Sequence, residues 1–119
     1  MKNTYDKSRA EQLVPLLEVI VAEILDRTRQ AKDLERTREA QVEGQRPSPA
    51  ELERRAALAV QRRGIQMAIR ELEGLGCVVD EQDLTRVYIP GTDGKIDRGF
   101  SWQSGEKNVR VVTTQPGGS

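Results

Sequence analysis

The chain has 119 residues, 19 Lys and Arg against 19 Asp and Glu, no histidine and one cysteine. Zero net charge gives the molecule no overall field to draw it to nucleic acid or anionic lipid, so an electrostatic partner must be met by a local patch. The missing imidazole excludes a Ser-His-Asp triad, a Cys-His dyad and histidine-ligated metal, and a single thiol excludes a thiolate zinc site and an intramolecular disulfide.

This length allows one domain, 1–119, with a modest core. Charged residues at 32% and aromatics at 3% suit long solvated helices. The N-terminal "MKNTYDKSRAEQ" lacks the apolar segment of a signal peptide. The most apolar run, "LVPLLEVIVAEIL", is interrupted by Glu18 and Glu23 and is shorter than the ~20 residues that span a bilayer. These features, with the lone Cys77 read as a small buried hydrophobe, predict a soluble cytoplasmic protein with no membrane contact.

Over residues 6–43, Leu13, Leu17, Ile20, Ile24, Ala31 and Leu34 recur at helical spacing and predict a long first helix. Pro15 either kinks it or marks its first turn. Leu16, Val19, Val21 and Leu25 widen the apolar stripe beyond what one neighbouring helix covers, whereas the stretch from Asp26 onward is nearly all charge. The first half is expected to enter a core and the second to project. The extra width predicts a protein partner or a second copy in a homodimer.

The stretch "EGQRPSPAE" is the clearest break in the chain. Ser48 reads as an N-cap, Pro49 as the first helical residue and Glu51 as the acidic member of a capping box. The second helix, 48–75, carries Leu58, Ile65, Ile69 and Leu72 on one seam and stops at Gly74 and Gly76. Folding back at Gly44 to Pro47 sets Leu34 against Leu58, Ala31 against Val60, Ile24 against Met67 and Ile20 against Leu72. The result is an antiparallel hairpin whose second arm is ~40 Å long.

After Gly76 the apolar period shifts toward two. The runs "CVVD", "TRVYIP", "GFSWQ" and "NVRVVTT", separated by turn-forming stretches, predict a small antiparallel sheet of three to four strands over 77–114, with a flexible tail at 115–119. The fold class is therefore α+β, a long antiparallel helical hairpin followed by that sheet. Pairing across "SGEK" puts Trp102 opposite Val109 and Phe100 opposite Val111, so the face bearing both rings is apolar. Phe100 and Trp102 are expected to plug the space between sheet and helices, and the alternative is an exposed recognition surface.

Catalytic, cofactor and metal residues are not indicated. "DEQD" clusters carboxylates at a turn, where solvation explains them, and "PGTDGK" lies between strands rather than before a helix, where a phosphate loop belongs. Arg55, Arg62 and Arg63, with Arg54 and Arg70, give the second helix a local basic excess that could grip RNA, though no aromatic interleaves to stack bases. Glu106 reads as a turn residue that could accept a ligand donor.

The order of these segments resembles an uncharacterised bacterial family, domain of unknown function 2203. The residues that carry the resemblance are Glu71, Leu72, Glu73, Leu75 and Gly76 at the end of the second helix, Ile89-Pro90 at a strand end, and Trp102, Gly105 and Glu106 in a W-x-x-G-E segment. Members of that family usually carry an acidic residue two before the proline, where this chain has Tyr88, and a Trp-His pair after the glutamate, where this chain continues "NVRVVTT". The resemblance implies the fold and no reaction. The reading that follows is a non-enzymatic interaction module acting through its helices, with an RNA- or ribosome-associated arm and a small-ligand site near Trp102 and Glu106 as its rivals.

Overall fold

Asp6 opens the first helix: its carboxylate accepts the N–H of Arg9 at 2.8 Å, and α1 runs Lys7–Arg36 in the computed structural model, which describes residues 3–37 and 44–112. Pro15 therefore marks neither the start nor the end. It stands on the exposed side, where the Glu11 carbonyl that loses its helical donor lies near solvent. The helix closes at Thr37, whose N–H returns to Asp33. The remainder of the expected first helix, 38–43, and the expected tail, 115–119, lie outside the described residues.

Helix α2, Pro49–Gly74, begins as its sequence predicts, with Ser48 Oγ accepting the N–H of Glu51 at 3.1 Å and Pro49 at the first position. It ends in a Schellman motif. Leu75 is the cap, Gly76 takes φ 83°, the Gly76 N–H returns to Glu73 and the Cys77 N–H returns to Leu72 at 2.9 Å. Leu72 and Cys77, the apolar pair that accompanies such a stop, are both in the core.

The hairpin forms at the expected levels, but α2 is turned about its axis. Arg27 reaches Gln61, and Arg54 reaches the carbonyl of Leu34. The inward face of α2 runs through Leu58, Gln61, Gly64, Ala68 and Leu72, and Val60 and Met67, expected opposite Ala31 and Ile24, are 61% and 56% exposed. A helix turns 100° per residue, so inward Leu58 and Ala68 carry Val60 and Met67 outward. Small residues allow this choice. A Cβ on Gly64 would stand 2.5 Å from the Arg27 guanidinium carbon, so that side chain lies in space only glycine leaves open.

Strands β1 (Val78–Val79), β2 (Arg86–Ile89), β3 (Phe100–Gln103) and β4 (Arg110–Val111) form an antiparallel sheet in the order β1-β2-β3-β4. The register places Val87 on Trp102, Ile89 on Phe100, Phe100 on Val111 and Ser101 on Arg110, the last two as expected. The inner row, Val87, Ile89, Phe100 and Trp102, packs on Leu17, Val21 and Leu72 to form one core at the sheet end of the hairpin. The charged end projects, giving a body of 57 × 32 × 28 Å.

An N-terminal strap closes that core. Tyr5 is buried, its hydroxyl donates to the carbonyl of Leu75 at 2.9 Å, and its N–H donates to Gly91. The connection from β2 to β3 is equally tight, because a Cβ on Gly99 would lie 1.9 Å from the carbonyl oxygen of Ile89. Gly99→Ala is expected to cost at least about 1–3 kcal/mol in urea denaturation, whereas Gly74→Ala, with no atom within 4 Å of its new methyl, is expected to be near neutral. Equal stability of the two variants would contradict this packing.

Candidate functional site

Three surfaces could carry function: the aromatic segment on the sheet, the arginines of α2, and the outward apolar residues of the hairpin. The aromatic segment is interior. Trp102 is 1% exposed, Phe100 is buried beside it, and the Trp102 indole N–H donates to the carbonyl of Glu106 at 2.7 Å. Between these ends the Glu106 N–H returns to Gln103, and Gly105 takes φ 93°. The W-x-x-G-E segment is thus a turn held to the core by an indole, with Ser104 and Gly105 exposed and the Glu106 side chain 3.3 Å from Arg110.

The arginines of α2 are largely occupied by the hairpin itself. Arg54 donates from Nε and Nη2 to Glu51 and from Nη1 to the carbonyl of Leu34, closing the projecting end with a buried ion pair. Arg55 also meets Glu51, at 2.9 Å, and Arg62 crosses to Glu35 at 3.1 Å. Arg63 is exposed and has no carboxylate at ion-pair distance among the described residues. Hydrogen bonds from Arg54, reinforced by Arg55, hold the Glu51 carboxyl down at about 2, below its ordinary value of 4.5.

The apolar residues expected to widen the α1 stripe divide. Val21 is fully buried, so its assignment to a partner surface is corrected, whereas Leu25 is half-buried against the core. Leu16 and Val19 remain outside, Val19 at 68% exposed. Each stands two residues from an inward valine, Val14 or Val21, hence 200° round the helix. Val60 and Met67 of α2 are likewise two residues from inward Leu58 and Ile69. All four therefore look away from the buried side, on the face of the hairpin opposite the sheet. Sequence reasoning placed Val60 and Met67 inside because apolar character alone does not say which of two stripes is covered.

The remaining chemistry sits on the outer face of the sheet. Asp80 accepts the Gln82 N–H and the Tyr88 hydroxyl, so Tyr88 is bonded to a carboxylate. Asp83 accepts the hydroxyl and N–H of Thr85, the Thr85 hydroxyl oxygen accepts the Gln103 amide, and the Gln103 carbonyl accepts Arg86 Nε at 3.1 Å. These bonds hold both aspartates below the usual carboxylate range. Among the described residues, no group of three side chains is placed to hold a metal ion. Cys77 is buried, which pushes its thiol up to about 12 and keeps it protonated.

Two measurements follow. Emission from Trp102 is expected to be blue-shifted and poorly quenched by acrylamide at every dilution; a red-shifted, quenchable signal would place the ring in solvent. The lowered Glu51 pKa adds stability that is complete above the ordinary value and lost as pH falls through 4.5 toward 2. The melting temperature should fall across that window, and by less in Glu51→Gln. An identical acid profile for that variant would show that the pair adds nothing.

A family model described as an uncharacterized conserved protein (DUF2203) matches residues 3–115. No curated protein and no solved structure matches the chain significantly. The residues that carry the family resemblance serve the fold here: Glu71 to Gly76 end α2, Pro90 is buried beside the strap, and Trp102 to Glu106 close the last turn. Matched over nearly its whole length, the chain belongs to the DUF2203 family.

Proposed function

We propose that this protein is a cytoplasmic, non-enzymatic interaction module whose helical hairpin self-associates through the face opposite the sheet, with a second copy as its partner. The observation that carries this reading is the set of exposed large apolar side chains on the hairpin, Leu16 and Val19 on α1 and Leu52, Val60 and Met67 on α2. Isolated apolar residues on a surface need no explanation, but a clustered set on a helix pair is costly to leave in water.

Size is compatible with this occupant. A 26-residue α2 is about 39 Å long, and two helices packed 8–10 Å apart present a strip roughly 18–20 Å wide. One hairpin face therefore offers roughly 700–800 Å², close to the share each partner contributes to a standard interface. Two hairpins laid face to face would form a four-helix layer with a sheet on either side.

The RNA-arm alternative is disfavoured by the ion pairs that occupy Arg54, Arg55 and Arg62. Catalysis is disfavoured by the protonated Cys77 and the absence of histidine. No helix among the described residues is long and apolar enough to cross a membrane. Light scattering after size exclusion is expected to show a dimer at micromolar concentration, and Val19→Glu with Met67→Glu is expected to yield a folded monomer. A wild-type monomer at high concentration would remove self-association.

A further inference from the structure

The outer face of the sheet carries a polar cleft of about 200 Å³ lined by Arg86, Ser101, Gln103, Glu106, Arg110 and Val111. Three strands contribute to it. Antiparallel register sets Arg86 beside Gln103 and Arg110 beside Ser101, so both arginines share one surface of the sheet with Ser101.

Arg86 differs from an ordinary surface arginine. Its Nε is held by Gln103, Gln103 by Thr85 and Thr85 by Asp83, a relay from the turn between β1 and β2 across to β3. Such a relay fixes the plane of the guanidinium before any ligand arrives, which lowers the ordering cost of binding. It uses Nε and leaves the two Nη groups without a protein acceptor among the described residues. Arg110 is steadied from the other side by Glu106 at 3.3 Å.

We infer that this cleft is a binding site for a small phosphate-bearing anion, gripped by Arg86 and Arg110 with Ser101 as a third donor. Two guanidinium charges against the one Glu106 carboxylate leave the lining with one positive charge. The neighbouring Asp83 and Asp80 are bonded to Thr85 and Tyr88, and both also feel the charge of Arg86, which helps to hold them below the usual carboxylate range. Donors rising from β2 and β4 and from β3 between them approach from different directions, which suits a tetrahedral oxyanion better than a planar carboxylate. The inference is independent of self-association, because the cleft and the apolar helix face lie on opposite sides of the molecule.

The test is a two-dimensional amide NMR titration of the full chain with inorganic phosphate, repeated with a nucleoside monophosphate and with acetate. Saturable shifts at Ser101, Gln103 and Arg110 are expected with phosphate and not with acetate. Arg86→Gln and Arg110→Gln, both exposed positions, should each weaken phosphate binding by about tenfold or more while leaving the remaining spectrum in place. Tighter binding of the nucleotide would identify the phosphate as part of a nucleotide, and equal binding would identify free phosphate. Shifts that fail to saturate, an equal response to acetate, or unchanged affinity in both variants would overturn the site.

Discussion

The structure depends on one turn, the left-handed Gly76 that stops α2 and sends the chain into the sheet. A helix end leaves carbonyl groups unpaired, and here Leu72 and Glu73 recover partners from the two residues just beyond the cap. The same turn drops Leu72 and Cys77 into the interior together. Space around it is closed: a Cβ on Gly76 would lie 3.0 Å from Asn3 and 3.2 Å from Pro90, so the N-terminal strap, the helix stop and the end of β2 meet at one glycine. Each of these three segments positions the others.

Beyond that junction the molecule is held by two different kinds of force. At the sheet end, Trp102, Val87 and Ile89 exclude water against Leu17 and Val21, and the stabilisation comes from apolar burial. At the projecting end few apolar side chains are covered, Ala31 and Leu58 buried and Leu34 half-buried. The helices are joined there by Arg54 Nη1 on the carbonyl of Leu34, Arg62 with Glu35 and the glutamine bridge from Gln61 to Gln30. The buried Glu51–Arg54 pair lies within α2 and aims the Arg54 guanidinium at Leu34, so another alignment of the hairpin would forfeit that bond between the helices. The charged half thus fixes the register of the hairpin, and the apolar half supplies most of its cohesion.

This division also explains the distribution of surfaces. A hairpin with one end fastened to a sheet has a covered face and a bare one, and the bare face is where Leu16, Val19, Val60 and Met67 lie. The sheet has a corresponding outer face with no helix on it, where polar side chains form their own network from Asp83 to Arg86. The protein therefore has exposed apolar side chains on one side and a charged cleft on the other, from a core too small to enclose either.

The sequence by itself determined the elements and their order, because the signals involved are local. Ser48 and Pro49 cap a helix wherever they stand, Gly76 permits a left-handed stop, and the alternation around Phe100 and Trp102 sets one face of a strand and its register against Arg110 and Val111. Tertiary structure alone decided which apolar side chains are covered. Val21 and Val19 are the same residue type two positions apart, and only the location of the sheet buries the first and exposes the second. Val60 and Met67 were placed inward by their polarity, yet the volumes of Gly64, Ala68 and the intruding Arg27 turn α2 so that both face water. The cleft was equally unreadable, since Arg86, Ser101 and Arg110 are separated along the chain and become neighbours only through strand pairing. Local chemistry writes periods, caps and turns; rotation of one element against another is set by side-chain volumes from distant segments, and no single stretch of sequence contains it.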